Sequence, residues 1–360
     1  MPRWGDGGLL AALLFLNMLS PGVAGEPLVK LEIDGQPLEG RALFTSANFG
    51  AVMARDGRMW QFDPNSVSNL RATTSQFRGY SVVAMRSQLR REFDKRFEIS
   101  ATGHYLVVHP RGNGRQWSGR FEDLYRSFRH YFSVRGFRLS QPDFPLVAVI
   151  MPSQSDFLRY ANRQGDRPRA GSPGYYSTTS NRVVMYDQSS GQGKQDWSKN
   201  AELVIHEATH QTAFNTGIHT RLAPTPRWVT EGLGTLFEAE GVWNARNNHS
   251  AGARVNREQL RRFREYAATR RKSDVIAELV SYDRMFPSDA WAAYAQAWAL
   301  TYYLAESQPR KYAKYLRLTA QRPEFQDYRA AERLEDFTSV FGKNLKLFDA
   351  QFLRYMKRVK

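Results

Sequence analysis

The stretch Glu202–Gln211 reads ELVIHEATHQ. It places His206 and His210 four residues apart, with Glu207 directly after the first. On a helix this spacing projects both imidazoles from one face. Glu207 sits about 100° further round, where its carboxylate can reach a water held by the two rings without joining them as a ligand. That division of labour is why His-Glu-x-x-His on a helix points to a zinc site with a general base. Asn200 stands where a helix cap would, Glu202 falls in the first turn, and neither Gly nor Pro interrupts the chain through Phe214. The pattern alone arises by chance in roughly one chain in a hundred. The competing reading is a helix with two hydrogen-bonded histidines, so the surroundings must decide.

A catalytic zinc of this type needs a third protein ligand and one open position. The chain has no cysteine. The extended spacing HExxHxxGxxH is not met, because Ala213 and Thr216 occupy the later positions; His219 lies three residues too far on, after Gly217. A carboxylate is the other option, and APTPRWVTEGLGTLFEAE (residues 223–240) supplies Glu231, 21 positions after His210. A helix, a turn and a return helix starting near Trp228, beyond Pro224 and Pro226, fit that interval. Glu238, two turns further, is a candidate to support a ligand from behind, against the alternative of a solvated helix carboxylate. Glu240 reads as surface.

Outward from this segment the chain falls into three parts. Arg3, the apolar run LLAALLFLNML (residues 9–19) and the small residues of SPGVAGEP predict a secretory signal peptide over residues 1–24, cleaved after Ala24. Asp6 is unusual in such a leader and leaves an uncleaved anchor as the alternative. Residues 25–84 read as a small β unit, with Asp-Gly hairpin signals at Asp34-Gly35 and Asp56-Gly57. From residue 85 the order is α+β: a helix in SQLRREFDKRF, a strand or hairpin ending at Pro110, a long helix stopping at Gly136, the buried strand PLVAVIMP and a short helix. GYYSTT and RVVMYD then flank Ser180-Asn181 as a hairpin at a sheet edge, closing an α/β part over 85–198. Residues 199–360 read as helical, with helices near 199–215, 228–240, 256–269, 288–307, 309–319 and 343–357.

Composition narrows the class further. At 360 residues and 42% hydrophobic, the chain can bury a sizeable core. Without cysteine it has no disulfide framework and no thiol nucleophile, which suits an exported bacterial protein, periplasmic or extracellular. No segment after the leader is long and apolar enough to span a bilayer. The formal net charge is +16. Basic runs such as RSQLRREFDKR and RRFREYAATRRK make an anionic envelope polymer a candidate partner. They contain acids and lack regular aromatic interleaving, and an exported protein is not expected to meet nucleic acid.

HEATH followed by WVTEGLG resembles the gluzincins, the thermolysin-like and aminopeptidase-like zinc peptidases with two His ligands and one Glu. Trp-x-x-Glu-Gly is much more specific than the first motif. Within that clan the leader, VIHEATHQTAFNTGIH and PRWVTEGLGTLFEAE are most similar to a bacterial exported family known as domain of unknown function 1570. The resemblance covers roughly residues 85–310. It implies one zinc ion held by His206, His210 and Glu231, Glu207 as general base, and a peptide or protein substrate. It also implies an edge strand before the metal helix that pairs with substrate backbone, here Tyr175, Tyr176 and Ser177. In aminopeptidase-type members an oxyanion-stabilising Tyr lies on a later helix; SDAWAAYAQAWALTYYLAE matches it with Tyr294. The implied fold is α+β, with a mixed sheet, the edge hairpin, the His-Glu-x-x-His helix and a mostly helical C-terminal part. Two departures stand out: no exopeptidase GAMEN-like strand, and Thr212 where an apolar residue is commoner. The rival classes are a non-catalytic envelope-binding module that keeps this fold, and a basic polyanion-binding protein.

Overall fold

The computed structural model describes residues 27–112, 114–189, 197–244 and 250–360; the expected leader lies outside them. Five strands open the described chain: β1 (Pro27–Ile33), β2 (Gln36–Thr45), β3 (Gly50–Ala54), β4 (Met59–Phe62) and β5 (Val67–Gln76). They form an antiparallel sheet in the order β4-β3-β2-β1-β5. Asp34 and Gly35 both take positive φ (51° and 76°) in the β1–β2 turn, the backbone twist that a two-residue hairpin needs and that Asp-Gly supplies at low cost. Val29, Leu31, Ile33, Val52 and Phe62 form this sheet's own core.

The chain then enters α1 (Val82–Glu92), so the change from the first sheet falls between Gln76 and Val82, a few residues before the expected boundary at 84. The second sheet holds β6 (Phe97–Ala101), β7 (Tyr105–Pro110), β8 (Leu146–Met151), β9 (Gly174–Ser177) and β10 (Arg182–Tyr186). Its order is β6-β7-β8-β10-β9, with β8 parallel to both neighbours and the outer pairs antiparallel. Every residue of β8 is buried, as a central strand covered on both faces requires. Val147 and Val149 face α1 and α3 (Gln154–Gln164), packing with Met85, Leu89, Phe157 and Tyr160. Leu146, Ala148 and Ile150 face the opposite way, towards α2 (Gly114–Ser133) and α4 (Ser198–Asn215).

The remainder is helical: α5 (Arg227–Phe237), α6 (Glu240–Trp243), α7 (Arg257–Thr269), α8 (Val275–Ser281), α9 (Met285–Ser288), α10 (Ala290–Ser307), α11 (Pro309–Ala320), α12 (Ala330–Phe341) and α13 (Leu345–Arg358). The fold is α+β as the sequence implies. Four helices go beyond the sequence reading, the single turns α6 and α9 and the longer α8 and α12; the apolar residues of α8 and α12 complete the core around Trp228, Phe337 and Tyr315. Among the described residues no helix is long and apolar enough to cross a membrane.

One side chain bonds to turns of both sheets. Arg221 donates from Nε to the Thr178 carbonyl (2.7 Å) and from Nη2 to the carbonyls of Gly57 (2.8 Å) and Thr179 (3.1 Å). The Met59 amide adds a bond to the Thr179 carbonyl (2.8 Å). The β3–β4 turn therefore docks on the tip of the β9–β10 hairpin.

Candidate metal centre

Helix α4 starts earlier than its sequence cap signal. Trp197 occupies the cap position without a side-chain bond, and Asn200 is buried inside the first turn. Its amide bonds instead to the residues just after β10, donating to Asp187 Oδ1 (2.7 Å) and accepting from the Gln188 amide (3.0 Å). Gln211 anchors the other end of α4 to the sheet, donating to the carbonyls of Val147 and Asn181. The polar Thr212 is matched by the Tyr105 hydroxyl at 3.4 Å, which explains how a hydroxyl is tolerated there. Fixed in this way, α4 turns His206 and His210 towards α5.

Helix α5 begins after Pro226, and its first amide, that of Arg227, is capped by Asp283 Oδ1 (2.9 Å). Its two glycines are dictated by close approach. A Cβ at Gly232 would stand 2.2 Å from Thr301 Oγ1 and 2.7 Å from the Ala297 carbonyl of α10. One at Gly234 would stand 2.8 Å from His206 Cε1. The EGLG segment thus lets α5 press on α10 with one face and on the His206 ring with the other.

This packing brings His206, His210 and Glu231 together, with one ligand atom from each within 4.8 Å of the others. The Nε2 atoms of the two histidines face each other at 3.0 Å. Glu231 Oε2 lies 3.4 Å from His206 Nε2 and 3.6 Å from His210 Nε2, yet it is buried and makes no hydrogen bond. Its other oxygen, Oε1, accepts from Arg227 Nε at 3.4 Å. Behind the cluster, His206 Nδ1–H donates to Glu238 Oε1 (2.8 Å), which leaves Nε2 as the inward-facing atom. Glu238 Oε2 accepts from Asn256 Nδ2 (2.7 Å), and Asn256 also caps α7.

The electrostatics of the cluster call for a cation. Burial opposes a charge on His206, but Glu231 and Glu238 outweigh it and hold the imidazole well above its ordinary range. Burial likewise opposes ionisation of Glu231, and the two histidines outweigh it, keeping the carboxyl well below its ordinary range. Two imidazole nitrogens that face each other beside a buried carboxylate oxygen need a positive charge between them. A proton can serve, and so can a divalent ion; the N₂O donor set suits zinc.

Glu207 stands beside the triad, 7% exposed. Burial pushes its carboxyl up; the histidines oppose this, Glu231 reinforces it, and the Tyr176 backbone amide works against it. Strand β9 is the outer strand of its sheet and lines one cavity with the cluster. Its side chains are otherwise engaged. Tyr175 Oη and Ser177 Oγ both donate to Asp166 (3.0 and 2.8 Å), and Tyr176 donates to Asn181 (2.8 Å) and stacks on Phe214. Tyr294, on α10, lines the same cavity of about 360 Å³ as the triad, Glu207 and β9. Burial raises its phenol, and the Glu231 charge adds to this.

Arg227, Asp166 and Asn256 were not singled out from the sequence. Arg227 lies inside the PRWVTEGLG segment, one turn before Glu231, where helix spacing alone signals contact. Asn256 shows a cap pattern, but its bond to Glu238 depends on the tertiary fold.

His219 stands apart from the three-donor cluster. It is 2% exposed, packs on Phe214 at 5.1 Å, and neither ring nitrogen has a hydrogen-bond partner. Burial, and secondarily His210, pulls its imidazole down to about 3. The unfolded chain therefore takes up a proton here that the folded chain refuses, and stability falls as pH drops from about 6.5 towards 3. The slope from this group approaches roughly 1.4 kcal/mol per pH unit. His219→Leu is expected to flatten that acid limb, measured as urea midpoint against pH; an unchanged limb would exclude His219 as a source of acid sensitivity.

Residues 200–326 match a protein family described as "Protein of unknown function (DUF1570)", a span that includes the triad, Glu207, Glu238 and Tyr294. No curated protein matches the chain. Among solved structures the chain is similar to a mutant M1 zinc metallopeptidase from Deinococcus radiodurans, with a TM-score of 0.41 and 13% identity over 74% of this chain and 51% of that one. It is also similar to native leukotriene A4 hydrolase from Saccharomyces cerevisiae, with a TM-score of 0.41 and 12% identity over 71% of this chain and 38% of that one. The chain thus spans about half or less of these structures.

Proposed function

We propose that this protein is an exported, zinc-dependent peptidase that hydrolyses peptide bonds. The observation that carries the reading is the buried Glu231 Oε2, which lacks a hydrogen bond while facing two histidine Nε2 atoms. His206, His210 and Glu231 would hold the ion. When bound, zinc lowers the pKa of water towards about 7 and polarises the scissile carbonyl.

The chain's own residues supply the rest. Glu207 accepts the proton of the attacking water and delivers it to the leaving amine, and its raised pKa moves it closer to the range a general base needs. Tyr294, neutral because burial and Glu231 both favour its phenol form, donates to the developing oxyanion. One such donor contributes roughly 3 kcal/mol to the transition state. The outer edge of β9 at Tyr175, Tyr176 and Ser177 receives the substrate backbone as an added strand.

Glu238 fixes the tautomer and orientation of His206. Glu238→Gln is expected to weaken zinc binding by about 10–100-fold, read by competition with a chromogenic chelator; unchanged affinity would reduce Glu238 to a structural contact. The decisive test of the function is the zinc content of wild type and His206→Ala, with both assayed on a mixed peptide library. Equal zinc in the two proteins would sink the site assignment, and a zinc-loaded wild type that cleaves nothing would sink the peptidase reading.

A further inference from the structure

A second cavity, of about 670 Å³, adjoins the first. Both are lined by Tyr176, Thr178, His210 and Glu231. On its far side the second cavity reaches Met59 and Gln61 of β4, in the N-terminal sheet, and Phe325 from the loop between α11 and α12.

Strand β4 has one unpaired edge, since it is the outermost strand of its sheet. Backbone groups along a strand alternate in direction. The Arg58 carbonyl points to β3, where it accepts from Ala54, and the Met59 amide points away, to Thr179. Gln61, two residues on, therefore also turns its amide and carbonyl away from β3, at the free edge of β4, and it lines the cavity. The side chain of Gln61 is exposed. Phe325 is held at φ 55°, a left-handed backbone that an aromatic residue rarely adopts, by its amide bond to the Leu222 carbonyl and by ring contacts with Phe44 and Phe49 at 5.3 and 5.6 Å. Three separate parts of the chain converge to build this wall.

We propose that the N-terminal sheet is the far wall of the substrate groove. An extended polypeptide that crosses the triad along the β9 edge continues to the β4 edge, where the Gln61 backbone pairs with it. The inference rests on the peptidase reading and narrows it. The preferred substrate is a longer, extended chain with residues well away from the scissile bond, and a free terminus is not what the groove recognises.

The test uses the zinc-loaded full chain carrying Glu207→Gln, so that bound peptides persist. Dissociation constants are measured for N-acetylated, C-amidated peptides lengthened one residue at a time on either side of the bond cut by wild type. Lengthening on one side is expected to produce a step of about threefold to tenfold tighter binding when the peptide reaches Gln61. Adding Gln61→Pro, which removes the amide at an edge position that tolerates proline, is expected to abolish that step. Gln61→Lys and Gln61→Glu, which keep the strand, are expected to show opposite preferences for a Glu or a Lys at the peptide position where the step occurs. A parent protein without a length step, a step that survives Gln61→Pro, or identical preferences in the Lys and Glu variants overturns the groove assignment alone. Failure to bind peptides of any length with zinc in place overturns the peptidase reading and this inference with it.

Discussion

Glu207→Gln is expected to lower peptide hydrolysis by about 10²–10⁴-fold, the usual contribution of a positioned general base, while zinc content stays at the wild-type level. The expectation follows from where Glu207 sits. It shares α4 with the two histidines but is offset around the helix, against the β9 edge, and is not one of the three clustered donors. Glutamine keeps the shape and the capacity to hydrogen-bond the Tyr176 amide, and it cannot take up a proton. The loss corresponds to roughly 3–5 kcal/mol in the activation barrier. Measured as kcat with metal content determined on the same sample, the two halves of the prediction separate chemistry from binding. Hydrolysis at the wild-type rate would remove Glu207 from the mechanism, and loss of zinc would make it a ligand or a prop for one.

Much of the site was legible because its chemistry is written at short range. His206, Glu207 and His210 fall within one and a half helical turns, so the period of the helix alone predicts their common face. Glu231 was legible from the Trp-x-x-Glu-Gly segment, and the structure gives that segment a physical cause. Trp228 is fully buried against Tyr315, Gly232 allows α5 to approach α10, and Gly234 leaves room for the His206 ring. The hairpin signals at Asp34-Gly35 and Asn181 were likewise local, since both turns take positive φ.

What was not legible is long-range. Asn200 looks like a cap because the residue type is right, but its partner is Asp187, across a loop whose path the sequence does not specify. Helices α8 and α12 are not legible because α8 is a short, nearly continuous apolar run without clear periodicity, and the cap position of α12 holds Arg329 rather than a residue that favours caps. Arg221 helps join the two sheets by donating to carbonyls of two turns more than a hundred residues apart in sequence. No local pattern distinguishes that arginine from those on solvated helix faces.

Glu231→Gln is expected to remove zinc altogether, and thermal stability provides the readout. A ligand that binds only the folded chain stabilises it by mass action, about 4 kcal/mol when free zinc is a thousandfold above its dissociation constant. Wild type should therefore show a large rise in Tm between chelator and zinc, and Glu231→Gln should show almost none. The argument does not depend on loss of shape. Glutamine is nearly isosteric and can still meet Arg227, but it takes a full negative charge from a buried cluster in which two imidazoles share one carboxylate oxygen. A divalent cation in that cluster would then lie among neutral donors, with the desolvation cost of burying it uncompensated. Glu207→Gln serves as the internal control, because it changes a neighbouring buried carboxylate by the same chemistry and should keep the full zinc-dependent shift. If both variants keep the shift, zinc binds elsewhere; if both lose it, the site responds to its total charge and Glu231 has no special place as a ligand.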